Sequence, residues 1–252
     1  MREQLGMKYA LTNFHRRKES YGKARAVLAT VPGDAARMGD AAAWWVERRI
    51  IARHSVGVTH RDSAKAAYQI TKSHGFSSGP NAVEAEFLAG WIALRSLSNP
   101  ETALVHFNKL AAIAPTGTEK ARAHYWLGRT YAALGDKAAA RKAYERAAQH
   151  STVYYGQLAR EQIGLGKVPE EIDNGQASAA AIARVDHDQV VRAFQMVAKA
   201  DGKASLSMFL WSLANRFDNA DEMNAVAAIV KQAGGTTMAL RLAKASSQRN
   251  ID

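Results

Sequence analysis

A small residue followed four positions later by a large one recurs along this chain at near-even spacing: Ala24/Leu28, Ala64/Tyr68, Ala103/Phe107 and Ala140/Tyr144. The alanines stand 40, 39 and 37 residues apart. A period of roughly 34–47 residues belongs to stacked helical hairpins, in which no unit can bury its apolar face alone. β-branched runs with period-two alternation are almost absent, which also favours helix over sheet. The chain is therefore read as all-α, a solenoid or superhelix of helical hairpins. Such a fold offers surface to partners and requires no reactive centre.

The fourth unit is the clearest. It reads Trp126-Leu127-Gly128-Arg129-Thr130-Tyr131-Ala132-Ala133-Leu134-Gly135-Asp136, followed by Ala140, Tyr144 and Ala147. This resembles a tetratricopeptide repeat, with its Leu-Gly-x-x-Tyr core and later Ala-x-x-x-aromatic pair. Small Gly128 and Ala140 predict a close helix crossing, with Tyr131 and Tyr144 filling the space beside it. Gly135-Asp136 predicts the turn between the helices. The third unit is looser: Gly90-Trp91, a turn at Ser98-Asn99-Pro100, then Ala103 and Phe107.

With 47% hydrophobic residues the chain has ample material for a core. No run of about 18 apolar residues exists to span a membrane, and the N-terminal segment lacks the apolar stretch of a signal peptide. The absence of cysteine excludes disulfides and thiolate metal sites and leaves the compartment open. A net charge of +11 and a pI near 9.9 imply attraction to polyanions: nucleic acid, anionic lipid or a carboxylate-bearing polymer.

Along the chain, a first helix pair is expected over residues 2–30, ending at Val31-Pro32-Gly33-Asp34. A second group runs from Ala41 to His74-Gly75, and a third starts near Ala82. Asn99 with Pro100 reads as a helix start, as do Thr116 with Glu119, Asp186 with Gln189, and Asn219 with Glu222. A break at Gly164-Leu165-Gly166-Lys167-Val168-Pro169 divides the chain. Residues 1–165 form the superhelix, 166–178 a linker, and 179–252 further helical hairpins. Helical patterns in that last part lie near 187–201, 203–216 and 220–233, with a short final helix toward Lys244.

Several strings, in order, resemble the soluble lytic murein transglycosylases of Gram-negative bacteria. They are Trp44-Trp45-Val46-Glu47-Arg48-Arg49, Glu84-Ala85-Glu86-Phe87-Leu88-Ala89-Gly90-Trp91-Ile92-Ala93-Leu94-Arg95, His106-Phe107, Ala123-His124-Tyr125-Trp126-Leu127-Gly128-Arg129 and Tyr154-Tyr155-Gly156-Gln157-Leu158-Ala159. The last is the most specific. The resemblance implies periplasmic cleavage of peptidoglycan glycan strands, with 1,6-anhydromuramyl products. It also implies a long α-superhelix followed by a lysozyme-like catalytic domain. That domain is marked by a catalytic Glu-Ser pair and a Gly-Leu-Met-Gln string. No Gly-Leu-Met-Gln occurs here, and the sole Glu-Ser is Glu19-Ser20, in a charged turn. The chain is accordingly read as the non-catalytic superhelical region of such an enzyme, cut before its catalytic domain. By the same resemblance Trp45, Trp91, Trp126, Gly128, Tyr155, Gly156 and Gln157 are its structural motif positions.

No residue is nominated as catalytic. Glu84 and Glu86 point about 200° apart on a helix and read, with Glu170-Glu171, as solvated. The histidines lack metal spacing: His54 and His60 flank a loop at Gly57, and Asp186-His187-Asp188 reads as a helix start. Gly164-Leu165-Gly166-Lys167 lacks the phosphate-loop pattern and reads as a helix stop. No cofactor and no metal are expected. The aromatics Trp44, Trp45, Trp91, Trp126, Tyr154 and Tyr155 read as crossing filler ahead of sugar stacking, with only one of Trp44 and Trp45 facing fully inward. Arg48, Arg49 and Arg53 are candidate murein contacts, Arg49 and Arg53 sharing a face. Their alternative is a solvated face paired with Glu47. The expected partner is peptidoglycan. A self-standing tetratricopeptide-like module that binds a protein is the alternative, and nucleic acid ranks last.

Overall fold

The computed structural model describes residues 2–56, 63–166, 176–200 and 205–247. His60, Gly57, Glu170, Glu171 and most of the expected linker lie outside them. The protein is all-α, with fifteen α-helices and no strand among the described residues. In order these are α1 (Arg2–Arg17), α2 (Tyr21–Ala29), α3 (Ala35–Met38), α4 (Ala41–Ser55), α5 (Ala64–Lys72), α6 (Gly79–Arg95), α7 (Pro100–Ile113) and α8 (Gly117–Ala133). There follow α9 (Lys137–Ala148), α10 (Tyr154–Gln162), α11 (Ala179–Asp186), α12 (Gln189–Ala200), α13 (Leu210–Ala214), α14 (Ala220–Gly234) and α15 (Thr236–Ser247).

Successive helices pair as hairpins: α1 with α2, α4 with α5, α6 with α7, and α8 with α9; α10 packs onto α8 and α9. Each hairpin also touches the next, α5 against α6 and α7 against α8. Local chemistry sets the boundaries. Gly135 takes φ +80°, a left-handed turn that glycine enters without Cβ strain. Asp136 then accepts from the Ala139 amide at 2.9 Å, starting α9. Asn99 accepts from Thr102 at 2.9 Å with Pro100 in the first helical position, and Asn219 accepts from Glu222 at 2.8 Å. Thr116 accepts from the Glu119 amide at 3.5 Å, while its own hydroxyl bonds to the Glu119 carboxylate.

The small–large pairs lie where the hairpins close. Ala24, Leu28, Ala64, Ala103, Phe107, Ala140 and Tyr144 are all buried. Two helical glycines let the aromatic of the partner helix lie flat on bare backbone. A Cβ on Gly90 would meet Phe107 Cε1 at 2.8 Å, and one on Gly128 would meet Tyr144 Cε1 at 2.5 Å. The same contact thus recurs in consecutive units. Burying a ring of this size contributes roughly 1.5–3 kcal/mol. Gly156 is tighter still: a Cβ would sit 1.8 Å from the His150 carbonyl oxygen, so α10 docks backbone to backbone on the end of the α8–α9 hairpin.

The buried side chains form three cores. One joins α2, α4, α5 and α6 around Trp45, Ile51 and Ile70. The second joins α6 to α10 around Phe107, Trp126 and Tyr144, and half-buried Tyr68 and Trp91 touch both. The third, around Phe194, Leu213 and Val226, is built from residues of α11 to α15 and their connections.

Four expectations are corrected. The turn after α2 contains a short helix, α3, capped by Asp34 on the Ala36 amide at 3.0 Å. An eight-residue helix, α11, precedes the pattern expected from 187; Ser178 caps it through the Ala181 amide at 3.1 Å. Asp186 therefore ends a helix, and Asp188 starts α12 by accepting from Val190 at 2.8 Å and Val191 at 3.2 Å. The helix expected over 203–216 is a 3-10 turn, Leu206–Phe209, leading into the short α13; residues 203 and 204 lie outside the described ones. Finally, Trp44 and Trp45 are both buried. Helix α4 is covered on two flanks: Trp44 lies edge-on to Tyr9 and donates to the Met38 carbonyl at 3.2 Å, while Trp45 lies edge-on to His74 and Phe76.

Candidate ligand-binding face

The first helices of successive hairpins carry a connected line of cationic and aromatic side chains. It begins on α4 and α6. Arg49 Nη1 reaches Glu84 Oε2 at 3.0 Å, and Arg53 Nη2 reaches Oε1 at 2.7 Å. Trp45 Nε1 donates to the same carboxylate at 2.9 Å. Partial burial works to raise the Glu84 pKa, but the Trp45 and Arg49 hydrogen bonds and the two guanidinium charges outweigh it and hold the carboxyl below its ordinary value. One turn further along α6, the Arg122 guanidinium of α8 lies 4.6 Å from the centre of the Phe87 ring. Arg129, one turn beyond Tyr125 on α8, donates to the Tyr125 hydroxyl at 3.1 Å. Tyr125 packs 5.4 Å from Tyr155 of α10, and Tyr155 lies 5.2 Å from Tyr154, which is 67% exposed.

The line presents four guanidiniums, Arg49, Arg53, Arg122 and Arg129, against one carboxylate. Guanidiniums bind carboxylates in a bidentate fork, and aromatic rings offer flat apolar faces. Half-buried Trp91 sits one turn from Phe87 on α6.

Arg48 does not belong to this face. It is 1% exposed and lies among backbone carbonyls, donating to Ile70 at 2.8 Å and to Val31 and Pro32 at 3.4 and 3.3 Å. Burial pushes its pKa down to about 10. It ties the end of α5 and the turn after α2 to α4, and as a murein contact it is corrected. Glu47 is not the partner of these arginines either. It is buried and held by Arg16 at 2.6 Å and Asn13 at 3.0 Å. Of the three basic candidates, Arg49 and Arg53 alone are on the accessible face, and their carboxylate is Glu84.

Glu86 overturns its reading as a solvated carboxylate. It is 5% exposed, with His106 Nδ1 at 2.6 Å, His74 Nε2 at 3.2 Å and Lys109 Nζ at 3.9 Å. Tyr68 Oη meets His106 Nε2 at 3.0 Å, and the Phe76 amide donates to His74 Nδ1 at 3.0 Å. Burial alone would raise the Glu86 pKa; the hydrogen bonds and charges of His106 and His74 reverse this and bring it to about 2. A general acid for glycoside cleavage needs the opposite shift. Glu86 is thus a structural anchor joining α6, α7 and the end of α5. Nothing local in the sequence marks this set, because its three members come from separate elements.

The remaining motif positions fall as follows. Trp126 stacks on Phe107 at 5.8 Å, and its Nε1 is buried without a hydrogen-bond partner. Gly128 lies under Tyr144, Tyr155 is half-buried, Gly156 lies against the His150 carbonyl, and Gln157 is exposed. Glu19 is exposed and takes φ +54° in the turn after α1. His54 stacks on Tyr21 with ring centres 3.5 Å apart. Among the described residues no group of three or more His, Cys, Asp or Glu is arranged to hold a metal, and no helix is long and apolar enough to cross a membrane.

Residues 121–151 match the tetratricopeptide repeat family. The match spans most of α8 and all of α9, including the Gly128–Tyr144 contact. No curated protein and no solved structure matches the chain. The protein is a tetratricopeptide-like helical repeat module.

Proposed function

We propose that this module is the non-catalytic scaffold of a periplasmic lytic murein transglycosylase and that its arginine–aromatic face engages peptidoglycan. The observation that carries this reading is the line from Arg53 to Tyr154, which sets guanidinium groups beside aromatic rings and ends on the exposed ring of Tyr154. Peptidoglycan offers both complements, carboxylates on its peptide stems and sugar rings along its strands. The ordered strings resembling that enzyme family support the same reading. Cleavage would belong to the lysozyme-like domain of the parent enzyme.

Co-sedimentation with purified sacculi tests this. The protein should pellet with sacculi at low ionic strength and be released as salt shortens the Debye length from about 30 Å at 0.01 M to about 8 Å at 0.15 M. Replacing both Arg49 and Arg53 by Ala should weaken pelleting several-fold with little loss of stability, since both side chains are substantially exposed. The polypeptide alone should release no anhydromuropeptides detectable by mass spectrometry. Absence of pelleting, with tight capture of an acidic peptide on the same arginines, would favour the protein-binding alternative. Submicromolar duplex DNA binding with a steep salt slope would instead favour nucleic acid.

A further inference from the structure

We infer that the cleft between the N-terminal half of α8 and the C-terminal end of α9 is a binding site for a compact divalent oxyanion, a phosphate or dicarboxylate group. The cleft has a volume of about 400 Å³ and is lined by Lys120, His124, Arg146, Gln149 and His150. No carboxylate lines it, and neither Lys120 nor Arg146 takes part in any ion pair among the described residues. His124 Nδ1 is buried without a hydrogen-bond partner. The His124 pKa is lowered, first by burial and then by the charges of Arg146, His150 and Lys120.

Helix polarity does not account for this cluster. Arg146 sits in the last turn of α9, where a cation complements the helix dipole. Lys120 sits in the first turn of α8, where the dipole disfavours a cation and favours an anion. The site therefore holds two permanent cations, two imidazoles and a side-chain amide with nothing to neutralise them. Two permanent charges match a divalent group. Arg122 and His124 stand two apart on α8, about 200° around its axis, so this cleft is separate from the arginine–aromatic face.

The test is an NMR titration of the whole chain that follows the His124 and His150 imidazoles. Its three arms are inorganic phosphate, malonate and chloride. Saturable shifts at both rings are expected with a divalent ion, together with a rise in the His124 pKa as the anion stabilises the imidazolium. Lys120→Gln and Arg146→Gln should each weaken binding about ten-fold, the loss of one charge-assisted hydrogen bond, with the fold retained. Response to phosphate alone identifies a phosphate group as the ligand, response to malonate alone a dicarboxylate, and response to both a site for either. No saturation below about 10 mM, an equal response to chloride, or unaltered affinity in both variants would overturn the site.

Discussion

At Gly128 the ring of Tyr144 occupies the space a side chain would need, and Tyr144 is itself held by Tyr125 at 5.8 Å. A Cβ at Gly128 would push that ring off its packing position. Gly128→Ala should therefore destabilise the protein by about 1–3 kcal/mol, the usual scale of core overpacking. Gly6→Ala is the control: that helical glycine has nothing within 4 Å, and the change should stabilise by about 0.5–1 kcal/mol through helix propensity. Urea unfolding of both variants checks the pair, and equal effects would refute the close crossing. Glu86 makes a second residue-level prediction. Its pKa falls from 4.5 unfolded to about 2 folded, so its stabilising contribution is whole above pH 4.5 and disappears as pH falls toward 2. That contribution is on the order of 3 kcal/mol. Glu86→Gln should flatten the acid limb of a Tm-against-pH profile in that window, and an unchanged limb would place the titrating group elsewhere.

Among the elements, α10 packs onto α8 and α9 through Tyr155, Leu158 and Ala159, and its tightest contact is to backbone. The His150 carbonyl fills the position of a Gly156 side chain, and backbone cannot move aside as a ring tip can. Gly156→Ala should loosen the docking of α10, seen as faster amide exchange over Tyr154–Gln162 while α6 and α7 stay protected. Persistent protection of α10 would contradict backbone docking. This contact also shows what sequence can reveal. Gly128 and Gly135-Asp136 were legible because the turn and the crossing lie within one hairpin. Gly156 was legible only as part of a family-like string, since its partner is a carbonyl and leaves no mark in residue type. Arg48, Glu47 and Glu86 were misread for a related reason. Each is a charged residue whose partners lie 16 or more residues away or on another element, so periodicity could not tell burial from exposure. Helix α11 was missed because eight residues are too few for a helical period to stand out, and Asp186 looked like a start when it was an end.

Across the whole molecule, the +11 charge is not spread without pattern. Four arginines of α4 and α8 meet α6 and its neighbours, one is buried as a clamp, and a separate cationic cleft sits between α8 and α9. Stacked hairpins repeat one side at regular intervals, which suits an extended ligand with repeating chemistry. The most direct measurement of the account is hydrogen–deuterium exchange with and without soluble peptidoglycan strands. Added protection should concentrate on α4, α6, α8 and α10, and Arg49→Ala with Arg53→Ala should diminish it on α4 and α6. Protection confined to helices α11 to α15, or no change anywhere at saturating glycan, would contradict the claim that the arginine–aromatic face is the binding surface.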